Sequence, residues 1–305
     1  MNILGVLPYP QIGPWELGPL PPIHSFGVVL AIGLLVGVIA ASYRGARTMG
    51  VSEERVQNYG IWIIVFGFVF SHLFEVFTYQ PEVVGEFFHT LPRDPATAFA
   101  EWPLGTISSL GGVLGGGIAA LIWMYRNPDQ DALAWANLSA WTLAICFFFG
   151  RIGCTLAFDH PGKEPGDTGI WNWIYETTGG AVPEIFPLMM EFPHGPAEIR
   201  HNLGFYEAIL WGAILVVFLI LSRKPRRRGL YLWLLPILYS PVRFLLDFLR
   251  EHPEAIEWGG DPRYLGLTPA QYMSILFFAA GIWGWYKLKD QPVEEWVEYE
   301  PDEDE

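Results

Sequence analysis

Three arginines, Arg151, Arg243 and Arg250, fall within or at the ends of long apolar stretches of this chain. A guanidinium at mid-bilayer depth costs about 3 kcal/mol, so a charge in such a stretch usually lines a cavity or meets a partner. The planar donor fork of arginine suits a phosphate. Asp247 lies one turn beyond Arg243, and Arg250 shares that helical face. Intrahelical pairing of Arg243 with Asp247, and snorkelling of Arg250 to water, are the structural alternatives. Tyr206-Glu207 opens a further apolar stretch, and His72 and Glu75, at i and i+3, close another. Asp159-His160-Pro161-Gly162 follows Arg151 after one short segment. A histidine beside a carboxylate and near arginines can accept a proton at neutral pH. An ordinary turn histidine is the competing reading, since neighbours in a loop need not pair.

The elements that position these groups are membrane spans. The chain has 305 residues, 51% hydrophobic and 16% charged, with positive mean hydropathy. A soluble chain carries about 25% charged residues. Fourteen Trp, 13 Tyr and 21 Phe supply the aromatic excess expected at membrane interfaces. This composition argues against a disordered protein, a disulfide-rich secreted domain or a nucleic-acid binder. The net charge of −14 is concentrated at one end: eight acidic residues lie between Val293 and Glu305. That run predicts a solvated, disordered tail over 291–305. Cys146 and Cys154, eight apart on one helix, are too distant for a disulfide. The first 22 residues hold no Lys or Arg, which argues against a cleavable signal peptide.

Apolar runs near 23–43, 58–79, 105–125, 133–154, 204–222, 229–249 and 268–287 predict an all-α protein of seven transmembrane helices. Arg44, Arg47, Arg55, Arg126, the 223–228 cluster, Lys287 and Lys289 then share one side of the membrane. Arg93, Lys163, Arg200 and Arg263 fall on the other. The positive-inside rule predicts an outer N-terminus and a cytoplasmic tail. Arg151, Arg243 and Arg250 all come to outer-leaflet depth, as do His24, His72, Glu75, Tyr206 and Glu207. The outer loop 155–203 predicts a partly structured, membrane-skimming cap. In the third span, Gly111, Gly112, Gly115, Gly116 and Gly117 either let two helices approach closely or let the backbone approach a ligand.

Gly150-Arg151-Ile152-Gly153, followed by a polar segment reaching Gly162, resembles the signature of the prolipoprotein diacylglyceryl transferases. Tyr9-Pro10, Gly18-Pro19 and Ile23-His24-Ser25-Phe26-Gly27 resemble that family's opening. Ile107-Ser108 through Gly111-Gly112 resembles its Gly-Gly span, His201 with Tyr206-Glu207 its fifth-span entry, and Tyr239, Arg243, Phe244 and Arg250 its sixth span. The resemblance implies a bacterial inner-membrane enzyme that moves the diacylglyceryl group of phosphatidylglycerol onto the lipobox cysteine of a prolipoprotein. It implies contact with the lipid bilayer and a signal-peptide region, and no cofactor, metal or nucleic acid. It implies that Arg151 and Arg243 hold the lipid phosphate, with Gly111, Gly112, Gly153, Gly162, His201, Tyr206 and Glu207 completing the substrate site.

The chain departs from the family at Leu110, where the family has its proposed base His, and at Cys154, where it has Asn. Phe26 replaces a Tyr, and Asp247 replaces a Glu. Leucine takes no proton, so His160, supported by Asp159, becomes the expected base, with Asp247 the third candidate catalytic residue. His201 and His72 are weaker candidates for the base. The alternative is an altered or silent paralogue that binds outer-leaflet phospholipid and uses another acceptor or none.

Overall fold

The computed structural model describes residues 6–9, 12–16, 22–100, 102, 108–164, 169–180, 188–191, 199–251 and 263–297. Pro10, the Gly18-Pro19 turn, Ile107 and residues 298–305 of the acidic run lie outside the described residues. Helices occupy all seven predicted stretches: α1 (Ser25–Met49), α2 (Glu53–Tyr79), α5 (Ser109–Arg126), α6 (Ala132–Ala157), α8 (Leu203–Leu221), α9 (Leu230–Leu246) and α10 (Pro269–Leu288). Short helices α3 (Pro81–Thr90) and α4 (Pro95–Ala100) follow α2. Helix α7 (Gly169–Thr177) and a two-stranded antiparallel pairing of β1 (Met190–Glu191) with β2 (Ile199–Arg200) stand between α6 and α8. Among the described residues, five helical stretches are long and apolar enough to cross a membrane: Ser25–Met49, Glu53–Thr78, Ala132–Ala157, Leu203–Leu221 and Leu230–Leu249. The protein is a mostly helical, multi-pass membrane protein.

The chain forms two compact units, Met1–Ala40 with Asn137–Trp296, and Ala41–Ala136 with Val297–Glu305. In the first, glycines set the helix spacing. A Cβ on Gly33 would lie 2.4 Å from Phe149 Cβ, and one on Gly37 2.5 Å from Cys146 Sγ, so α1 and α6 meet at van der Waals limits. A Cβ on Gly204 would lie 3.0 Å from the α6 backbone at Cys154 and Thr155, and one on Gly284 only 2.0 Å from the Trp233 ring of α9. Trp141, Ile145, Trp211, Ile214, Phe218 and Tyr231 fill the apolar core among α6, α8 and α9. Helix α9 contains Pro236 and Pro241, which membrane helices tolerate because neighbours satisfy the freed backbone groups.

Residues 289–294 are not loose. Arg227 donates to the carbonyls of Lys289 (2.6 Å) and Gln291 (2.8 Å). Arg228 N donates to Pro292 O at 2.9 Å, and Glu294 N to Arg226 O at 2.8 Å. The Glu294 carboxylate is buried and accepts from Asn137 Nδ2 at 3.0 Å. The acidic run therefore begins as a docked strap, and an unattached tail can start only beyond it.

In the second unit, α2 and α5 pack through the predicted glycines. A Cβ on Gly111 would lie 2.6 Å from Phe70 O, and one on Gly115 2.4 Å from Phe70 Cβ and 2.6 Å from Phe66 O. Ser108 caps α5, and Ser71 Oγ donates to Ser108 O at 2.5 Å. Trp102 Nε1 donates to His72 Nε2 at 2.6 Å.

Candidate active site

The site is built where α6 ends. Thr155 Oγ1 donates to Arg151 O in the last turn of α6. Phe158 then takes a left-handed conformation at φ 54° and turns the chain off the helix axis. For a bulky residue this backbone is strained and needs support. Support comes from burial: Phe158 is 1% exposed, and Tyr9 packs edge-on against it at 4.6 Å while donating to Leu156 O.

The turn carries Asp159 and His160 back towards Arg151. His160 Nδ1 lies 2.5 Å from Asp159 Oδ1, and Arg151 Nη1 lies 3.3 Å from His160 Nε2. Beyond them, Gly162 threads a narrow crossing. Gly162 N donates to His201 O (2.7 Å), Lys163 N to Leu249 O (2.8 Å), and His201 N to Lys163 O (3.1 Å). A Cβ on Gly162 would lie 2.8 Å from both His201 Cβ and Leu249 O, so only glycine fits there. This stitching ties the loop to the start of α8 and to the 3-10 turn Asp247–Leu249 that ends α9.

Glu207 is the hub of the polar cluster and is 1% exposed. Its Oε2 lies 3.0 Å from Arg151 Nε, and its Oε1 lies 3.5 Å from Arg243 Nε. Tyr239 donates its hydroxyl to Oε2 at 3.2 Å. Arg243 also pairs with Asp247, as the i,i+4 spacing predicts, and Arg250 Nε lies 3.3 Å from the same Asp247 oxygen. Thr268, the α10 N-cap, donates its hydroxyl to the other Asp247 oxygen. Among the described residues, the guanidiniums of Arg151, Arg243 and Arg250 thus gather around the two buried carboxylates of Glu207 and Asp247. Exposure rises along the chain of contacts, from Glu207 at 1% and Arg151 at 10% to His160 at 24% and Asp159 at 41%.

Arg151, Arg243, Glu207, Asp247, Asp159 and His160 are therefore brought together. Gly153 packs on Phe26, where a Cβ would lie 3.0 Å from the ring. His201 and Tyr206 form a buried pair, with Nδ1 2.7 Å from the tyrosine hydroxyl. Burial pushes His201 down to about 4, so it is neutral at pH 7. Gly111 belongs to the α2–α5 contact described above, and Gly112 lies beside Ser71 in that unit, with a Cβ there 3.8 Å from Ser71 Cβ. Leu110 is 40% exposed in the first turn of α5. Sequence reasoning missed Thr268 and Gln271, although Thr268-Pro269-Ala270-Gln271 carries the capping-box pattern that was the available signal. It also left Arg200 without a role. Arg200 holds Glu164 at 2.8 Å and Glu251 at 3.3 Å, clamping the loop from outside.

Two further features bear on ligands. Ligand atoms of Cys154, Asp159 and His160 lie within 4.8 Å of one another, but Arg151 Nη1 is 3.9 Å from Cys154 Sγ and 3.3 Å from His160 Nε2. A metal ion there would face a guanidinium, so these residues do not fit a cation. Between α6 and α8 lies an apolar cavity of about 470 Å³, lined by Phe148, Ile152, Phe205, Ala208, Ile209 and Gly212 among others. Ile152 and Ala208 directly follow Arg151 and Glu207 in the chain.

The family model for prolipoprotein diacylglyceryl transferases matches residues 14–287. The chain belongs to that family. It is 28% identical to a phosphatidylglycerol–prolipoprotein diacylglyceryl transferase of Glaesserella parasuis, across 90% of this chain and 92% of the relative. It is 28% identical to that of Nitratidesulfovibrio vulgaris, across 91% and 94%. With the enzyme of Acinetobacter baylyi the identity is 26%, across 95% and 97%. Family membership spans every element that builds the cluster, from α1 to α10.

Proposed function

We propose that this protein transfers the diacylglyceryl group of phosphatidylglycerol to the lipobox cysteine thiol of prolipoproteins, in the outer leaflet of a bacterial inner membrane. The observation that carries the reading is the shared buried carboxylate: Glu207 holds Arg151 and Arg243 side by side. Such a pair suits one phosphate diester. The apolar cavity between α6 and α8 suits an acyl chain. Seven spans, an outer N-terminus and a cytoplasmic acidic tail complete the proposal, supported by the seven helices and the asymmetry of basic residues.

The chemistry is displacement at a glycerol carbon. His160 Nε2 takes the proton of the acceptor thiol, with Asp159 holding Nδ1–H and stabilising the imidazolium. The thiolate attacks the diacylglyceryl carbon that bears the phosphate oxygen. A C–S bond forms, the C–O bond breaks, and its electrons leave on glycerol phosphate. Arg151 and Arg243 stabilise that developing charge, and the proton on His160 neutralises the product. Asp247 positions rather than reacts: it is fully buried and orients Arg243 and Arg250.

The test is complementation of a bacterium depleted of its own prolipoprotein diacylglyceryl transferase, read as growth and as radiolabelled lipid on a model lipoprotein. Rescue is the expected result. An expressed, inserted protein that labels no lipoprotein would overturn the reading and point to a changed acceptor.

A further inference from the structure

The partners of His160 fix its proton arrangement. An ionised Asp159 only accepts hydrogen bonds, so the imidazole Nδ1, 2.5 Å away, carries the hydrogen. A guanidinium only donates, so Nε2, 3.3 Å from Arg151 Nη1, offers its lone pair to that group. In this arrangement Nδ1 donates to Asp159, and the basic nitrogen Nε2 is already engaged. A thiol reaching it would find the lone pair in use. An S–H group is a weak donor and cannot displace a charged N–H.

The geometry that blocks the base also provides its release. Arg151 is held to Glu207 through Nε, at 3.0 Å, so its terminal nitrogens can be redirected without losing that anchor. A phosphate oxygen competes for those nitrogens better than a neutral imidazole, because hydrogen bonds between ions are about twice as strong as neutral ones.

We propose that Arg151 masks the basic nitrogen of His160 in the lipid-free site, and that a phosphate diester bound to Arg151 unmasks it. The base is then competent only when the lipid donor is in place. This rests on the assignment of His160 as base and of Arg151 as phosphate ligand. It adds an obligate order of activation, lipid before thiol.

The test is carbethoxylation of His160 by diethyl pyrocarbonate, which attacks a free imidazole lone pair. The full-length protein is treated in nonionic micelles with or without phosphatidylglycerol, and modification is read by mass spectrometry. Exposed His24 in the same digest serves as the reference. Without lipid, His160 should react about fivefold more slowly in the wild type than in Arg151→Ala, the change one net hydrogen bond makes. Phosphatidylglycerol should accelerate the wild type and leave the variant unchanged. Equal lipid-free rates in the two proteins, or a wild-type rate that lipid leaves unchanged or lowers, overturn the masking. Separately, His160→Ala is assayed for transfer: full activity removes the base assignment itself. Loss of transfer in His160→Ala, together with a wild-type His160 whose modification lipid does not accelerate, removes the masking alone.

Discussion

The α2–α5 contact and the arginine cluster both hold helices together, by opposite means. At Gly111 and Gly115, side chains are deleted so that two backbones nearly touch, and cohesion is dispersion over a close surface. At Glu207, a long charged side chain reaches across to two others, and cohesion is electrostatic in a place where water cannot compete. The first arrangement is indifferent to charge and intolerant of volume. The second depends on charge, because removing one partner leaves the others buried and uncompensated. Only the second leaves polar atoms that a ligand can recruit, so chemistry belongs to the charged region and spacing to the glycine one.

Mutations should separate these two properties. Arg151→Ala should lower transfer by ~10³-fold or more, through loss of charge stabilisation in the leaving group. The protein should remain inserted and correctly sized by gel filtration; near-normal turnover would sink the phosphate role. His160→Ala should lower transfer by about 10²-fold or more with little effect on thermal stability, as expected for loss of a general base. A parallel loss of both would make His160 a structural turn residue. Gly115→Ala, whose methyl would press on Phe70, should lose roughly 1–3 kcal/mol of stability by overpacking while keeping its rate per folded molecule. Gly117→Ala, which meets nothing within 4 Å, is its control and should stay within about 0.5 kcal/mol of wild type; equal losses would remove the packing argument.

The smallest effect appears only in acid. His201 is held neutral, with its folded value near 4 against about 6.5 when unfolded. The unfolded chain therefore binds the extra proton first. The stability contributed by neutral His201 is complete above about pH 6.5 and is lost as pH falls towards 4. His201→Gln should melt with a flatter pH dependence over that window and an unchanged one above it. Parallel curves for the two proteins would refute the assignment.

Much of this was legible in the residues. Arg243 and Asp247 stand at helical spacing, and that pair forms. The glycines of α5 stand four apart, and Gly111 and Gly115 face α2. The seven apolar runs became helices with ends shifted by a few residues, because caps such as Ser52 and Thr268, rather than hydropathy, set where helices begin. What the residues could not disclose was which distant groups meet. Glu207 was recognisable as a buried acid, but its bond to two arginines depends on how α6, α8 and α9 are arranged. Asp159 beside His160 left pairing open; the left-handed backbone at Phe158 and the Gly162 crossing decide it. A bulky residue in that conformation has no local sequence signal, because its burial against Tyr9 comes from a segment 147 residues away from Leu156.

Helix α10 is fastened at both ends. At one, Thr268 caps the helix and bonds to Asp247. At the other, Arg227 grips the carbonyls of Lys289 and Gln291. A rod pinned at two points cannot slide along its own axis, and a slip of one residue, about 1.5 Å, would unmake both fastenings together. The distance between the basic turn at 226–228 and the Asp247 carboxylate is therefore a fixed length. It works as a gauge rod, setting how far the arginine cluster stands from the basic turn at the other end of the helix.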